Sequence, residues 1–94
     1  MTEVTAPGIT MYSTGWCPYC DRARALLQRK GVAVQEYKID EDDAQRAVML
    51  QKSGGRRTVP QIFIGQSHVG GFDDLYDLDS RGGLDPLLAA AQDA

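Results

Sequence analysis

The order of apolar and polar residues predicts a strand followed by an amphipathic helix at the beginning of the chain. Residues 9–13 (ITMYS) are rich in β-branched and aromatic side chains, which favours a β-strand. Across residues 17–30 the apolar side chains Ala23, Leu26 and Leu27 recur at helical spacing. Pro18 suits the first turn of this helix, and Gly31 suits the position just after its last turn.

The next part of the chain predicts a second strand and a second helix. Residues 32–39 (VAVQEYKI) favour a strand, although their middle alternates less regularly. The acidic cluster at 40–43 is typical of a helix N-terminus, and the helix is expected to run to about Lys52. Its apolar positions are Ala44, Ala47, Val48 and Leu50.

The last third predicts a β-hairpin and two helices. Residues 61–64 (QIFI) form a short buried strand, and a tight turn at 65–66 returns the chain as an antiparallel strand at 67–69. Asp73 or Asp74 is expected to cap a third helix, whose inner side carries Leu75, Tyr76 and Leu78. A final helix is expected from Asp85 to about Gln92.

The resulting order is β-α-β-α-β-β-α plus a C-terminal helix. The first β-α-β unit implies a parallel pair with a right-handed crossover, and the hairpin adds two mutually antiparallel strands. We therefore expect an α/β fold, with a mixed four-stranded sheet flanked by helices on both faces. Residues 1–8 are expected to be a flexible lead-in, and residues 9–94 to form a single domain.

Composition narrows the classes of function. The 94 residues carry 10 basic and 13 acidic side chains, for a formal charge of -3. Nucleic-acid binding would need an excess of basic side chains on one face, so no nucleic-acid partner is expected. The longest purely apolar run, residues 87–91, is far shorter than the roughly 20 residues that span a bilayer. No signal peptide is visible at the beginning, and no membrane partner is expected.

The chain contains two cysteines, Cys17 and Cys20. A small secreted domain would ordinarily carry several disulfides, and a bridge that closes so short a loop stabilises a fold little. The cysteine content therefore predicts a cytoplasmic protein with reactive thiols.

The predicted position of the cysteines suits thiol–disulfide exchange. The reacting species is the thiolate, which the unpaired N–H groups and the positive dipole end at a helix N-terminus stabilise. Cys17 is expected to be the nucleophile, and Cys20, one turn further and more buried, the resolving thiol. Two alternatives are a structural zinc site and a pair of inert core cysteines. Zinc requires four ligands, and His68 is the sole histidine that could join the cysteines.

Two further segments could bind a ligand. Pro60 precedes a predicted strand, and a cis Val59-Pro60 bond would expose the backbone N–H and C=O of Val59 to an extended peptide; a trans bond at an edge strand is the alternative. Residues 70–74 (GGFDD) place glycines before a helix start, which favours a carboxylate-binding site. The simpler interpretation of this segment is a hairpin exit followed by an aspartate cap.

Taken together, these motifs resemble the glutaredoxin family, in particular its small bacterial glutaredoxin 3 type with a CPYC active site. The matching segments are YSTGWCPYC at 12–20, RRTVPQIFI at 56–64 and HVGGFDDLYDLDSRGGLDPLL at 68–88. The resemblance covers about residues 9–90. It implies the thioredoxin fold, a cis Val59-Pro60 bond, and exchange with glutathione as co-substrate, with no metal and no tightly bound cofactor.

The family pattern also implies the catalytic and binding residues. It places the nucleophile at Cys17 and the resolving thiol at Cys20. Glutathione contacts fall on Tyr19, Arg56, Arg57, Thr58, Val59, Pro60, Gly71, Phe72, Asp73 and Asp74. Within this set, Asp74 is expected to bind the γ-glutamyl ammonium, and Arg56 or Arg57 the glycyl carboxylate. The implied partners of a monomeric protein are glutathione and glutathionylated or disulfide-containing proteins such as ribonucleotide reductase.

The sequence departs from the family pattern at two places. Thr14 stands where many members carry a lysine, and residues 53–57 form a loop about one residue longer than usual. This loop and Trp16 are also similar to the mycoredoxins, which use another thiol. Two other functions stay open: a dimer that holds an iron–sulfur cluster with glutathione, and an interaction protein that uses its acidic C-terminal surface.

Overall fold

The structure, a computed structural model, describes residues 8–92. The flexible lead-in expected at residues 1–8 lies outside the described residues except for Gly8. The division of the chain into a lead-in and a single domain therefore stays a prediction. None of the helices within residues 8–92 is long and apolar enough to cross a membrane.

Strands and helices follow one another in the predicted order. The strands are β1 (Ile9–Ser13), β2 (Gln35–Lys38), β3 (Gln61–Ile64) and β4 (Ser67–Gly70). The helices are α1 (Pro18–Arg29), α2 (Asp43–Lys52), α3 (Phe72–Ser80) and α4 (Leu84–Gln92).

The four strands form one mixed sheet in the order β2-β1-β3-β4. Strand β1 is parallel to β2 and antiparallel to β3, and β3 is antiparallel to β4. A parallel neighbour requires a long crossover connection, which α1 supplies, whereas the short turn at Gly65 suffices for the hairpin. This arrangement is the thioredoxin fold, as the resemblance implied.

Side chains of the two central strands alternate between two hydrophobic clusters, one on each face of the sheet. The first cluster joins Met11 and Ile62 to buried residues of α1, α3 and α4. The second joins Tyr12 and Phe63 to Met49 of α2. Because successive strand residues point to opposite faces, one strand supplies both clusters. Three helices therefore cover one face, and α2 alone covers the other.

The second strand is shorter than predicted. The sequence indicated residues 32–39, but the ladder with β1 begins with the pair Thr10 and Gln35 and ends with Ser13 and Lys38. Val32 and Val34 instead pack against the first cluster. Their apolar character reflects partial burial against this cluster rather than strand pairing.

The predicted inner faces of two helices need correction. In α2, Ala44, Ala47 and Val48 are exposed, and the fully buried side chain is Met49. A helix that covers one face of a sheet without neighbouring helices can bury only a narrow stripe of its side chains. In α2 the long, flexible side chain of Met49 fills this contact with the sheet. In α3, Leu75 is buried as predicted, but Tyr76 is 58% exposed.

The third helix begins earlier than predicted. Its N-cap is Gly71 rather than Asp73 or Asp74, and the helix starts at Phe72. The Asp74 carboxylate reaches back to accept a hydrogen bond from the Gly71 N–H at 3.0 Å. An acidic side chain at the third helical position thus satisfies a backbone donor that would otherwise lack a partner.

A polar cluster ties α1 to the sheet. Arg24 donates from Nε and Nη2 to the two carboxylate oxygens of Glu36, at 2.9 and 2.6 Å. Ser13, which is fully buried, donates to the same carboxylate, and Arg24 also pairs with Asp21. These hydrogen bonds hold the pKa of Glu36 below its ordinary value, against the opposing effect of its partial burial.

Replacing Glu36 with glutamine is expected to lower the free energy of unfolding at pH 7 by about 1–2 kcal/mol, because charge-assisted hydrogen bonds are lost. The lowered pKa means that this stabilisation is present above the ordinary carboxyl pKa of 4.5 and disappears as the pH falls below it. Urea unfolding of both proteins between pH 3 and 7 measures the effect. Asp21→Asn, at a carboxylate that is 72% exposed, is the control and should change little. A difference that persists unchanged at pH 3 would contradict the assignment.

Candidate active site

The two cysteines lie where β1 leads into α1. Cys17 is the N-cap of α1, Pro18 occupies its first turn, and Cys20 follows one turn later. The cysteines form a disulfide with a Cα–Cα distance of 5.1 Å. Cys17 is half-buried and Cys20 fully buried, which confirms the predicted difference in exposure. The sulfur that an incoming disulfide can reach is therefore that of Cys17.

The backbone at the helix start is arranged to stabilise negative charge on Cys17. The Cys20 N–H points to the Cys17 Sγ at 3.1 Å. An N-terminal dipole adds about 0.3–1 kcal/mol to the stability of an anion, and up to ~2 kcal/mol in a partly buried site. In the reduced protein this position favours the thiolate over the thiol.

The segment before β3 lies next to the reactive sulfur. The Val59-Pro60 peptide bond is cis, as the resemblance implied. The carbonyl oxygen of Val59 lies 3.9 Å from the Cys17 Sγ. A backbone carbonyl and N–H at this position can pair with the backbone of a cysteine whose sulfur faces Cys17.

A groove of about 340 Å³ extends from this segment to the start of α3. The lining residues come from three separated parts of the chain and are Tyr19, Arg56, Thr58, Val59, Pro60, Gly71, Phe72, Asp73 and Asp74. Nine of the ten predicted glutathione contacts therefore lie around one groove. Arg57 is the exception, because it is exposed and does not line the groove.

The far end of the groove carries charges of both signs. The Nη2 of Arg56 lies 3.8 Å from the Oδ2 of Asp74, and both side chains are about half exposed, at 47% and 52%. The first backbone N–H groups of α3 have no partner within the helix and favour an anion. This end can therefore accept a carboxylate and an ammonium side by side.

Gly70 allows the close approach of these side chains. Its φ is +114°, and a Cβ at this position would overlap the Asp74 carboxylate and lie 3.2 Å from the Arg56 Nη1. A positive φ of this size is a conformation that glycine adopts at little cost. The sequence predicted the glycine pair as the exit from the hairpin before a helix start, but it did not predict this packing role.

Two aromatic side chains line the groove, and a third directly precedes Cys17 in the chain. The Tyr19 and Phe72 ring centroids are 6.3 Å apart, and the Arg22 guanidinium lies 5.2 Å from the Tyr19 centroid. Trp16 is 85% exposed. Aromatic surfaces next to a reactive cysteine suit contacts with peptide-like substrates.

A polar side chain behind the groove was not predicted from the sequence. Gln61, the first residue of β3, is fully buried, and its amide bonds to Thr58 and to His68. Partial desolvation and the nearby Arg56 lower the pKa of His68, while Asp74 acts in the opposite direction. A glutamine directly after Pro60 at the start of a buried strand was the available signal.

Within residues 8–92, no group of three or more His, Cys, Asp or Glu side chains is arranged to hold a metal ion. His68 lies on β4 and bonds to Gln61, so the structure does not bring it to the cysteines as a zinc ligand.

Comparison with known proteins identifies the family. A sequence model of the glutaredoxin family matches residues 9–69. The chain belongs to the glutaredoxin family. Glutaredoxin 3 of Escherichia coli strain K12 is 59% identical over 80 residues, which are 85% of this chain and 95% of that protein. This glutaredoxin has the cysteine pair of the dithiol members and is a thiol–disulfide oxidoreductase.

Solved glutaredoxin structures support the same assignment. A buckwheat glutaredoxin–glutathione complex superimposes with a TM-score of 0.81 at 34% identity, covering 90% of this chain and 79% of that one. A glutaredoxin from Brucella melitensis gives 0.74 at 50% identity, covering 87% and 88% of the two chains. The family works with glutathione as its reductant.

Proposed function

We propose that this glutaredoxin reduces mixed disulfides between proteins and glutathione, with Cys17 as nucleophile and the groove as the glutathione site. The observation that carries the proposal is the order of chemical groups along the groove. It begins at Val59, beside the Cys17 sulfur, and ends where Arg56, Asp74 and the start of α3 meet. Glutathione matches these groups, because its thiol can face Cys17 while the ammonium and carboxylate of its γ-glutamyl unit reach the far end of the groove.

Each part of glutathione has a partner in this arrangement. The backbone of Val59 pairs with the cysteine unit, and the aromatic ring of Tyr19 flanks it. The N–H groups at the start of α3 bind the γ-glutamyl carboxylate, and Asp74 binds the ammonium. The side chain of Arg56 is half exposed and can turn away from Asp74 to pair with the glycyl carboxylate at the other end of glutathione, whereas Arg57 does not line the groove.

The reaction is two successive exchanges. The Cys17 thiolate attacks the glutathione sulfur of the mixed disulfide, and the target protein leaves as a thiolate that takes a proton from water. A second glutathione thiolate then attacks the glutathione sulfur bound to Cys17. Oxidised glutathione is released and the Cys17 thiolate is regenerated. Each turnover therefore consumes one free glutathione thiol, and the other half of the oxidised glutathione comes from the mixed disulfide.

Protein disulfides, such as that of ribonucleotide reductase, require Cys20. Cys17 forms a mixed disulfide with the target, and Cys20 then attacks the Cys17 sulfur and releases the reduced target. The Cys17–Cys20 disulfide of the structure is the product of this branch. We place the protein in the cytoplasm, where glutathione and its reductase keep the cycle running.

Turnover of a glutathionylated peptide by the reduced protein tests the proposal, with glutathione and glutathione reductase as the coupled system. We expect turnover with glutathione and none when thioredoxin reductase replaces this system. Asp74→Asn should raise the KM for glutathione about three- to tenfold, since a half-exposed charge-assisted bond is lost. Asp77→Asn is the matched control, because Asp77 also lies on α3 but pairs with Arg81 outside the groove. Equal KM values for the two variants would show that Asp74 does not bind glutathione.

A further inference from the structure

Gln61 is a buried polar side chain directly behind the segment that faces the reactive sulfur. It follows Pro60 in the chain, and its side chain is 0% exposed. A buried amide without partners costs free energy, so the contacts it makes decide its orientation. Gln61 does not line the groove.

The hydrogen bonds of Gln61 fix the direction of its amide. Nε2 lies 3.0 Å from the carbonyl oxygen of Thr58 and 3.1 Å from its hydroxyl oxygen. A carbonyl oxygen can only accept, so the NH₂ group must face Thr58. The Oε1 of Gln61 then faces the Nε2 of His68, 2.7 Å away. Because Oε1 only accepts, His68 must carry a proton on Nε2.

His68 is itself held against the sheet. It pairs with Phe63 in the β3–β4 ladder, and the two rings stack with centroids 4.6 Å apart at 18°. The contacts therefore run from a stacked ring on β4, through one buried amide, to the backbone of Thr58. This residue immediately precedes Val59.

We infer that Gln61 and His68 are positioning residues that hold segment 58–60 so that the Val59 backbone is aimed into the groove. The inference rests on the proposed glutathione site. Neither side chain lines the groove, so neither is a catalytic residue in this scheme. Their removal should weaken the binding of glutathione and leave the thiol chemistry of Cys17 intact.

Gln61→Met keeps the length of the side chain and removes all three hydrogen bonds. We expect the KM for glutathione to rise about tenfold, which is the effect of one good hydrogen bond. The kcat and the pH dependence of Cys17 alkylation should stay within about twofold of the parent values. Leu88→Ala, which removes part of a buried side chain of the first cluster that does not line the groove, is the control for lost stability. It should melt earlier with an unchanged KM.

His68→Phe tests the outer half of the chain of contacts. Phenylalanine can keep the stacking on Phe63 but cannot donate to Gln61. We expect a rise in KM of about threefold, and no further rise when it is combined with Gln61→Met, because both changes remove one network. If the two rises in KM instead multiply in the double variant, the two side chains act independently and the inference is overturned.

Nitrogen-15 NMR of the parent protein gives a measurement that does not depend on turnover. Near neutral pH, His68 should show a protonated Nε2 and an unprotonated Nδ1. The opposite tautomer would overturn the inference even if Gln61→Met fails to fold. An unchanged KM in a folded Gln61→Met protein would overturn it as well. If the parent protein fails to turn over glutathione substrates, the proposed function is wrong. The positioning of segment 58–60 can still be tested in that case, because His68→Phe should shift the NMR signal of the Val59 amide.

Discussion

Cys17→Ser is expected to reduce turnover of glutathionylated substrates by at least about a thousandfold, because the attacking group is lost. A serine hydroxyl stays protonated at neutral pH at the same helix N-terminus where a thiol ionises. Cys20 cannot replace the nucleophile, since its side chain is fully buried. The measurement is the rate of the coupled glutathione reductase assay.

Cys20→Ser is the matched control, and it should separate the two branches of the reaction. Glutathione itself resolves the Cys17 adduct, so activity on mixed disulfides is expected to stay within about threefold of the parent. The backbone N–H of residue 20, which bonds to the Cys17 sulfur at 3.1 Å, is kept in this variant. Reduction of protein disulfides should fail, because no second thiol remains to release the target. Equal loss of mixed-disulfide activity in both variants would contradict these roles.

Gly70→Ala is expected to damage both stability and binding. The backbone there has φ +114°, and the new methyl group would lie 2.9 Å from the carboxyl carbon of Asp74. Backbone strain of this kind costs about 1–3 kcal/mol. The displaced Asp74 and Arg56 should also raise the KM for glutathione by more than about tenfold.

Gly82→Ala is the control that separates backbone strain from a clash with neighbouring side chains. Gly82 also has a positive φ, +79°, but a methyl group there would meet nothing within 4 Å. It should lose about 1–2 kcal/mol of stability with an unchanged KM. Thermal unfolding and the glutathione titration of both variants provide the comparison. A Gly70→Ala protein that binds glutathione normally would show that Asp74 and Arg56 can move without loss.

Local sequence signals were sufficient where a feature depends on neighbouring residues. The spacing of Cys17 and Cys20 before an amphipathic helix predicted both the helix start and the difference in exposure of the thiols. The parallel β1–β2 pair followed from one crossover and the β3–β4 hairpin from one tight turn, whereas the antiparallel pairing of β1 with β3 was not predicted. The limits of β2 were predicted less accurately. A β-ladder ends where its partner strand ends, and the residue types at 32–34 do not show where β1 ends.

The groove depends on contacts between distant segments, which spacing alone does not provide. Its residues were grouped in advance through the resemblance to glutaredoxins, and residues 18–20, 56–60 and 71–74 meet only in the folded chain. The roles of Gln61 and Gly70 were not predicted, because they too depend on contacts with distant segments. One bonds to a side chain on another strand, and the other makes room for Asp74 and Arg56. Met49 was missed because a lone helix on a sheet face follows no wide apolar stripe.

The second hydrophobic cluster connects helix α2 to the reaction. Val59 packs against the cluster that Met49 of α2 shares with Tyr12 and Phe63. Since α2 covers its face of the sheet alone, we expect it to open more easily on warming than the three helices on the other face. Each such opening removes the support behind the Val59 backbone while the three helices on the other face stay in place. Heating should therefore weaken glutathione binding some degrees before the molecule unfolds, so we expect the temperature optimum of catalysis to follow the stability of α2 rather than global melting.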